Sequence, residues 1–261
     1  MPNIALLIEY DGTNYAGWQF QPNAISIQEA IEKALQNIYK TKVSVVSAGR
    51  TDAGVHSYGQ VANFKVENNP IPIKKIPKAI NSLLYPDIRI LNANYVPDDF
   101  NARYSAIARE YIYKISTKFS VFERNFCHFI PFKIDIDKLF EISAIFVGSF
   151  NFTSFSKNNP DTKSYICNVE KSFWEKIDNY HYFFTIKANR FIYGMVRTII
   201  GTMIDYARGY KSKEIIVEAL NNLSRNNISA LAPASGLYLN KIYYPNEIFF
   251  NNKQLMNYEH H

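Results

Sequence analysis

Arg50, Thr51, Asp52 and His56 fall within seven residues, bracketed by Gly49, Gly54 and Gly59. A carboxylate serves as a nucleophile or base only when it is ionised and aimed. A nearby cation does both, because it lowers the carboxyl pKa and fixes its orientation. Arg50 stands two residues before Asp52, and such a pair also reads as a solvated surface contact of little energetic weight. The glycines let the backbone take left-handed turns and let a partner come close. His56 has no metal or nucleophile partner spaced to match it. It reads as a loop-structuring or phosphate-contacting residue.

A second cation lies far along the chain, in RFIYGMVRTIIGTMIDYARG (190–209). Met195, Ile199 and Met203 form an apolar stripe at helical spacing. Gly194, Arg197 and Gly201 form another, and an arginine between two glycines invites close approach by a further segment. The same pattern also fits a snorkelling surface arginine beside helix-weakening glycines. Tyr111 and Tyr113 share one face of a strand by the two-residue period. If that face lines a cleft, a ring there can stack on a nucleobase. There is no glycine-rich phosphate loop, no Ser/His/Asp arrangement and no HExxH motif.

The elements that must position these residues follow from periodicity. Ile4 to Tyr10 reads as a buried strand, followed by the turn DGTNYAGWQFQP. Ser26 to Lys40 reads as a helix, opened by a Ser26/Glu29 capping-box spacing. Strands are expected over 42–48 and 60–66, with the Asp52 stretch between them. Pro77 opens a short helix bearing Ile80, Leu83 and Leu84, and 88–96 is a strand. The order β-α-β-β-α-β then recurs. It comprises a strand over 109–117, a short strand over 126–132, a helix over 137–147 with Leu139, Ile142, Phe146 and Val147 on one face, and strands over 164–175 and 180–188. Helices over 191–208 and 213–223 and a strand over 236–244 complete it. The expected fold is therefore α+β. Two ferredoxin-like or RRM-like halves join into a mixed, mainly antiparallel sheet with a central cleft. The halves are expected at 1–104 and 105–250, with a tail over 251–261 whose final His260 and His261 read as the remnant of an expression tag.

With 47% hydrophobic and 15% aromatic residues over 261 positions, the chain can bury a large core. Its net charge of +6 fits a polyanionic partner without singling one out. Cys127 and Cys167 are isolated, which fits neither a disulfide framework nor a zinc site and makes a reducing cytoplasm the default. The apolar run Ile4 to Ile8 is too short for a signal peptide, and no stretch suits a membrane span.

Several long motifs, in order, give the chain a resemblance to the tRNA pseudouridine synthase A family over Ile4 to Tyr244. GRTDAGVHSYGQVANF resembles that family's catalytic signature, with the aspartate at Asp52. YDGTNYAGWQFQP with SIQEAIEKAL resembles its N-terminal motif, and FNARYSAIAREYIYKI places the active-site tyrosine at Tyr111. NFTSFS is similar to a family loop. RFIYGMVRTIIGTM places the family's arginine at Arg197, and APASGLYLNKIYY resembles its C-terminal signature. Ser57, Tyr58, Asn63, Asn101 and Arg190 depart from the residues the family more often carries.

The resemblance implies isomerisation of uridine to pseudouridine in the anticodon stem-loop of tRNA (about positions 38–40), with the base flipped out of the stack. It implies no cofactor, no metal, and a homodimer that binds tRNA across a basic surface. On this reading Arg197 pairs with Asp52, Tyr111 packs on the uracil, Arg50 contacts the RNA near the flipped nucleotide, and Leu237 forms a wall of the cleft. Asp52 attacks the sugar or base, or removes a sugar proton; the residues do not choose between these. Two other classes compete: a non-catalytic RRM-like RNA-binding protein, and a nucleoside or glycoside hydrolase, which would want two cooperating acids.

Overall fold

The computed structural model describes residues 1–157, 159–160, 162–222 and 228–249. β1 (Asn3–Tyr10) turns Ile4, Leu6 and Ile8 onto one fully buried face. α1 (Ile27–Tyr39) covers it with Ile27, Ile31 and Leu35. Ser26 caps this helix by accepting the Glu29 N–H at 3.2 Å, while the Glu29 carboxylate pairs with Lys33 at 2.7 Å. Half of the expected capping box is thus formed, and an i,i+4 ion pair takes its other half. β2 is only Val46–Ser47, and β3 (His56–Lys65) begins well before residue 60. The stretch between these strands is correspondingly tighter than the sequence suggests. α2 (Ile76–Asn81) starts with Pro77 in its first turn and buries Ile80. It stops before Leu83, which is exposed, in contrast to the face expected of it. β4 (Ile88–Val96) closes the first half.

The second half runs β5 (Ala108–Ser116), β6 (His128–Phe129), α3 (Ile136–Ser143) with a 3-10 turn over Ala144–Phe146, and β7 (Gly148–Asn151). It continues with β8 (Ile166–Lys176), β9 (His181–Ala188), α4 (Met195–Ala207), α5 (Lys213–Asn222) and β10 (Leu237–Tyr243). Leu139, Ile142 and Phe146 are buried as expected, but Val147 leaves the helix and is exposed. β7 lies outside the strands that the periodicity predicts. The end of the expected 213–223 helix and the 251–261 tail lie outside the described residues.

The strands form one mixed sheet in the order β4-β1-β3-β10-β5-β9-β8-β7, with β2 on β3 and β6 on β5. In the first half the fourth, first, third and second strands are neighbours (β4-β1-β3-β2), and β10-β5-β9-β8 repeats that order. Most pairings are antiparallel. The halves meet where β10 lies parallel to β3, with Tyr238 opposite His56 and Leu239 opposite Ser57. β2 takes the same edge of β3 further along, at Ala62 and Asn63. The first residues of β3, which follow the Asp52 stretch directly, therefore sit at the seam. One apolar core fills each half, and the second core reaches across the seam to Ala48, Val55 and Val61. No helix among the described residues is long and apolar enough to cross a membrane.

Candidate active site

Asp52 lies on the loop between β2 and β3, and that loop is braced from several sides. The Trp18 N–H donates to the Thr51 carbonyl at 3.1 Å, and the Gly54 N–H donates to the Tyr15 carbonyl at 3.3 Å. The Thr51 and Tyr10 hydroxyls lie 2.9 Å apart in a buried contact. Gly17 has φ +92°, and a Cβ there would lie 2.5 Å from the Thr51 carbonyl oxygen, so only glycine lets the N-terminal turn come this close. The Gln60 amide closes the loop's start by donating to the Gly49 carbonyl at 2.8 Å. The YDGTNYAGWQ segment thus acts as a cradle for the aspartate loop.

Arg197 reaches Asp52 from the other half of the chain. Its Nη1 donates to Asp52 Oδ2 at 2.8 Å, and its Nε donates to the Ala232 carbonyl at 2.7 Å. Both side chains are largely withdrawn from solvent, at 18% and 23% exposure. Arg197 stands in the first turn of α4, where the helix dipole disfavours a cation. The carboxylate and the carbonyl supply the compensation. Gly201 explains how the Ala232 segment comes so near: a Cβ at Gly201 would lie 2.2 Å from the Ala230 carbonyl oxygen. The Ala232 N–H returns a bond to the Arg197 carbonyl at 3.0 Å. Gly194 is not within the helix, as its spacing suggests, but is the N-cap residue at φ +76°.

Tyr111 on β5 completes the group. Its ring meets Phe191 edge-on at 5.1 Å, and it is 8% exposed. Burial raises its hydroxyl pKa, and the charges of Tyr10 and Asp52 raise it further. The resting side chain is therefore a neutral phenol close enough to Asp52 to feel its charge. Tyr113, on the same face, is a structural counterpart. Its hydroxyl donates to the Pro233 carbonyl at 3.0 Å and contacts His128 Nδ1 at 2.9 Å.

The other expected site residues divide. Arg50 is exposed and has no hydrogen-bond or ion-pair partner among the described residues, so it is open to a ligand. His56 is 1% exposed. Its Nδ1 accepts the Gly12 N–H at 3.1 Å and also lies 3.1 Å from Asp11 Oδ1, while Nε2 lies 2.9 Å from the Asn125 carbonyl. Its ring stacks on Tyr238 at 4.7 Å. The phosphate-contacting alternative is thereby corrected: His56 is the first residue of β3 and ties three segments together. Leu237 is also buried, opposite Tyr113 in the β10–β5 pairing, so it supports the site more than it lines an open wall.

Arg109 is the residue that sequence reading passes over. Its guanidinium donates to the carbonyls of Ala48 (2.9 Å), Arg103 (2.6 Å), Ala106 (3.1 Å) and Asn189 (3.0 Å). It gathers the start of the aspartate loop, the segment entering β5 and the segment leaving β9, two residues from Tyr111. No local pattern marks an arginine whose partners are all backbone oxygens. Among the described residues no group of three His, Cys, Asp or Glu side chains is placed to hold a metal ion.

Comparison with known proteins adds a second kind of observation. A family model described as tRNA pseudouridine synthase matches residues 6–105 and 142–245. The chain is 39% identical over 244 residues to tRNA pseudouridine synthase A of Bacteroides fragilis, covering 94% of this chain and 97% of the relative. It is 39% identical over 251 residues to the protein of that name from Brachyspira hyodysenteriae, covering 95% and 100%. A Thermoanaerobacter relative of that name is 38% identical over 246 residues, covering 94% and 100%. With the motif order, the duplicated sheet and these matches in agreement, the chain belongs to the tRNA pseudouridine synthase family of isomerases.

Proposed function

We propose that this protein isomerises uridine to pseudouridine in the anticodon stem-loop of tRNA, with Asp52 as the group that acts on the flipped nucleotide. The observation that carries this reading is the Arg197–Asp52 pair, made between residues 145 apart in sequence. A surface pair could form with the nearby Arg50; this one draws an arginine from a helix in the other half and holds it on a second bond to Ala232. The reaction breaks the bond from uracil N1 to ribose C1′ and makes one from C5 to C1′. N1 gains a proton and C5 loses one. Asp52, aimed by Arg197, starts the cleavage. Tyr111 packs on the detached base and prevents its escape. Its hydroxyl is a poor base beside a charged Asp52, because burial and that charge both oppose the phenolate. The C5 proton leaves only after C5 has bonded to C1′ and Asp52 is again a free carboxylate, so the neutral Tyr111 phenol acts as a relay, giving its own proton to N1 as it accepts the one from C5. Arg50, exposed beside the site, contacts the RNA backbone.

Extracting a stacked base costs a few kcal/mol, which phosphate contacts on a basic surface offset. The net charge of +6 supports that role. The assembly we propose is a homodimer. The loop from β5 to β6 exposes Phe119, Val121, Phe122 and Phe126, an apolar cluster of the kind that marks an interaction surface. A cytoplasmic location follows from the substrate.

The reading is tested with tRNA carrying tritium at uridine C5. Isomerisation releases the label as water and leaves pseudouridine on nuclease digestion. Free uracil would support the hydrolase reading instead, and binding without release would support a non-catalytic RNA-binding protein.

A further inference from the structure

Two exposed tyrosines lie on segments tied to those that carry Asp52 and Arg197, each with a cation over its ring. Tyr104 is 79% exposed, with the Arg103 guanidinium 5.5 Å from its ring centroid. Tyr193 is 47% exposed, with the Lys157 ammonium 5.0 Å from its ring centroid. Neither tyrosine is buried in a core, and among the described residues neither ring packs on another aromatic ring.

Both are fastened to the site by backbone contacts. The Arg103 carbonyl and the Ala48 carbonyl accept from the same Arg109 Nη2, so the Tyr104 segment touches the start of the aspartate loop. The Lys157 N–H donates to the Tyr193 carbonyl at 2.8 Å, and Tyr193 directly precedes Gly194, the cap of the helix that carries Arg197. The Asn189 carbonyl, also on Arg109, begins the segment that leads to Tyr193. One platform therefore hangs on the aspartate loop and the other on the arginine helix. Arg50 and Arg190 lie on the adjoining segments, so four cations, Arg50, Arg103, Lys157 and Arg190, accompany the two rings.

We propose that Tyr104 and Tyr193 are stacking platforms for the two nucleobases that flank the extruded nucleotide. This rests on the pseudouridine synthase reading of the same site. Removing a base from a helix leaves its neighbours with an unstacked face. An aromatic ring covers such a face whatever the base, while a cation beside the ring meets the adjacent phosphate. Fixed at two points, the platforms set the distance between the flanking bases and hold the gap open over Asp52. Because stacking is sequence-tolerant, they select for an unpaired or openable site and not for a base identity.

The test uses full-length protein carrying Asp52→Asn and a synthetic anticodon stem-loop RNA with 2-aminopurine placed directly 5′ or directly 3′ of the target uridine. Binding should quench the probe at both positions. Tyr104→Leu and Tyr193→Leu should each abolish quenching at one position and weaken binding roughly 5- to 150-fold, the range for loss of one aromatic–base stack. The Tyr→Phe variants should retain both, since the ring and not the hydroxyl is used. Arg103→Ala and Lys157→Ala should each lower the salt slope of binding by about one. Unchanged quenching and affinity in both leucine variants would overturn the proposal, as would loss of quenching in the phenylalanine variants. Tritium release by the unaltered enzyme is measured separately. It can fail while the platforms stand, or succeed while they fall, so the two readings are distinguishable.

Discussion

Replacing Arg197 by lysine probes the site at the point where its geometry is most specific. The arginine holds two acceptors at once, Asp52 Oδ2 at 2.8 Å and the Ala232 carbonyl at 2.7 Å. A lysine ammonium is a single point charge on a different stem and cannot span both in this arrangement. A charge-assisted hydrogen bond contributes about 1.5–3 kcal/mol. The pair is partly screened, with 18% and 23% of its side chains exposed, so the upper end is a ceiling. If Asp52 depends on Arg197 for its aim, kcat should fall roughly 10- to 150-fold in Arg197→Lys. KM for tRNA should move little, because the pair faces the reacting nucleotide and not the phosphates. Single-turnover tritium release measures the first and filter binding the second. Arg197→Ala should lose more, since the Ala232 carbonyl is then left without this donor, and added guanidinium should restore part of its rate. A lysine variant with an unchanged rate would remove the ion pair from the mechanism. One that lost stability as fast as rate, with no rescue by guanidinium, would reassign Arg197 to folding.

Three further expectations can be checked in parallel. Tyr111→Phe should bind tRNA normally but lose on the order of 10²-fold in tritium release, the scale of a lost general base; full activity would limit Tyr111 to packing. Burial lowers the His56 pKa and takes that of His128 to about 4, so the unfolded chain binds more protons than the folded one below the ordinary histidine pKa. The stability from keeping these rings neutral is present above about pH 6.5 and is lost as pH falls toward 4, which urea midpoints across that window should show; a flat profile would contradict the buried, neutral assignment. Phe122→Asp should convert a species of twice the 30.2 kDa chain mass into a monomer by sedimentation. An unaltered mass would move the dimer contact elsewhere.

Much of the fold is legible because it rests on local periodicity. Ile27, Ile31 and Leu35 keep the helical repeat, and all three are buried in α1. The strands over β4, β5 and β9 alternate cleanly enough to be placed within a residue or two. What resists is set by tertiary contact. β7 is four residues long and exists as an edge partner of β8. Gly194 looks like a helix residue until its positive φ makes it a cap. His56 reads as a loop residue, yet its burial comes from Tyr238, Gly12 and Asn125, which are remote or on another turn. The two glycines of the arginine helix were informative for different reasons: one caps, and the other lets Ala230 approach. The glycine-flanked stripe makes Arg197 a candidate partner for Asp52, but motif resemblance is needed to assign it, because no spacing rule links residues 145 apart. Arg109 left no trace, since its work is done on backbone carbonyls that belong to no side-chain pattern.

The central claim, that Asp52 acts on a uridine in bound tRNA, is tested most directly by Asp52→Asn. The substitution keeps the size of the side chain and removes its charge, so tRNA binding should persist while tritium release from C5-labelled uridine falls to background. Continued release by Asp52→Asn at a rate near that of the unaltered enzyme would contradict the account.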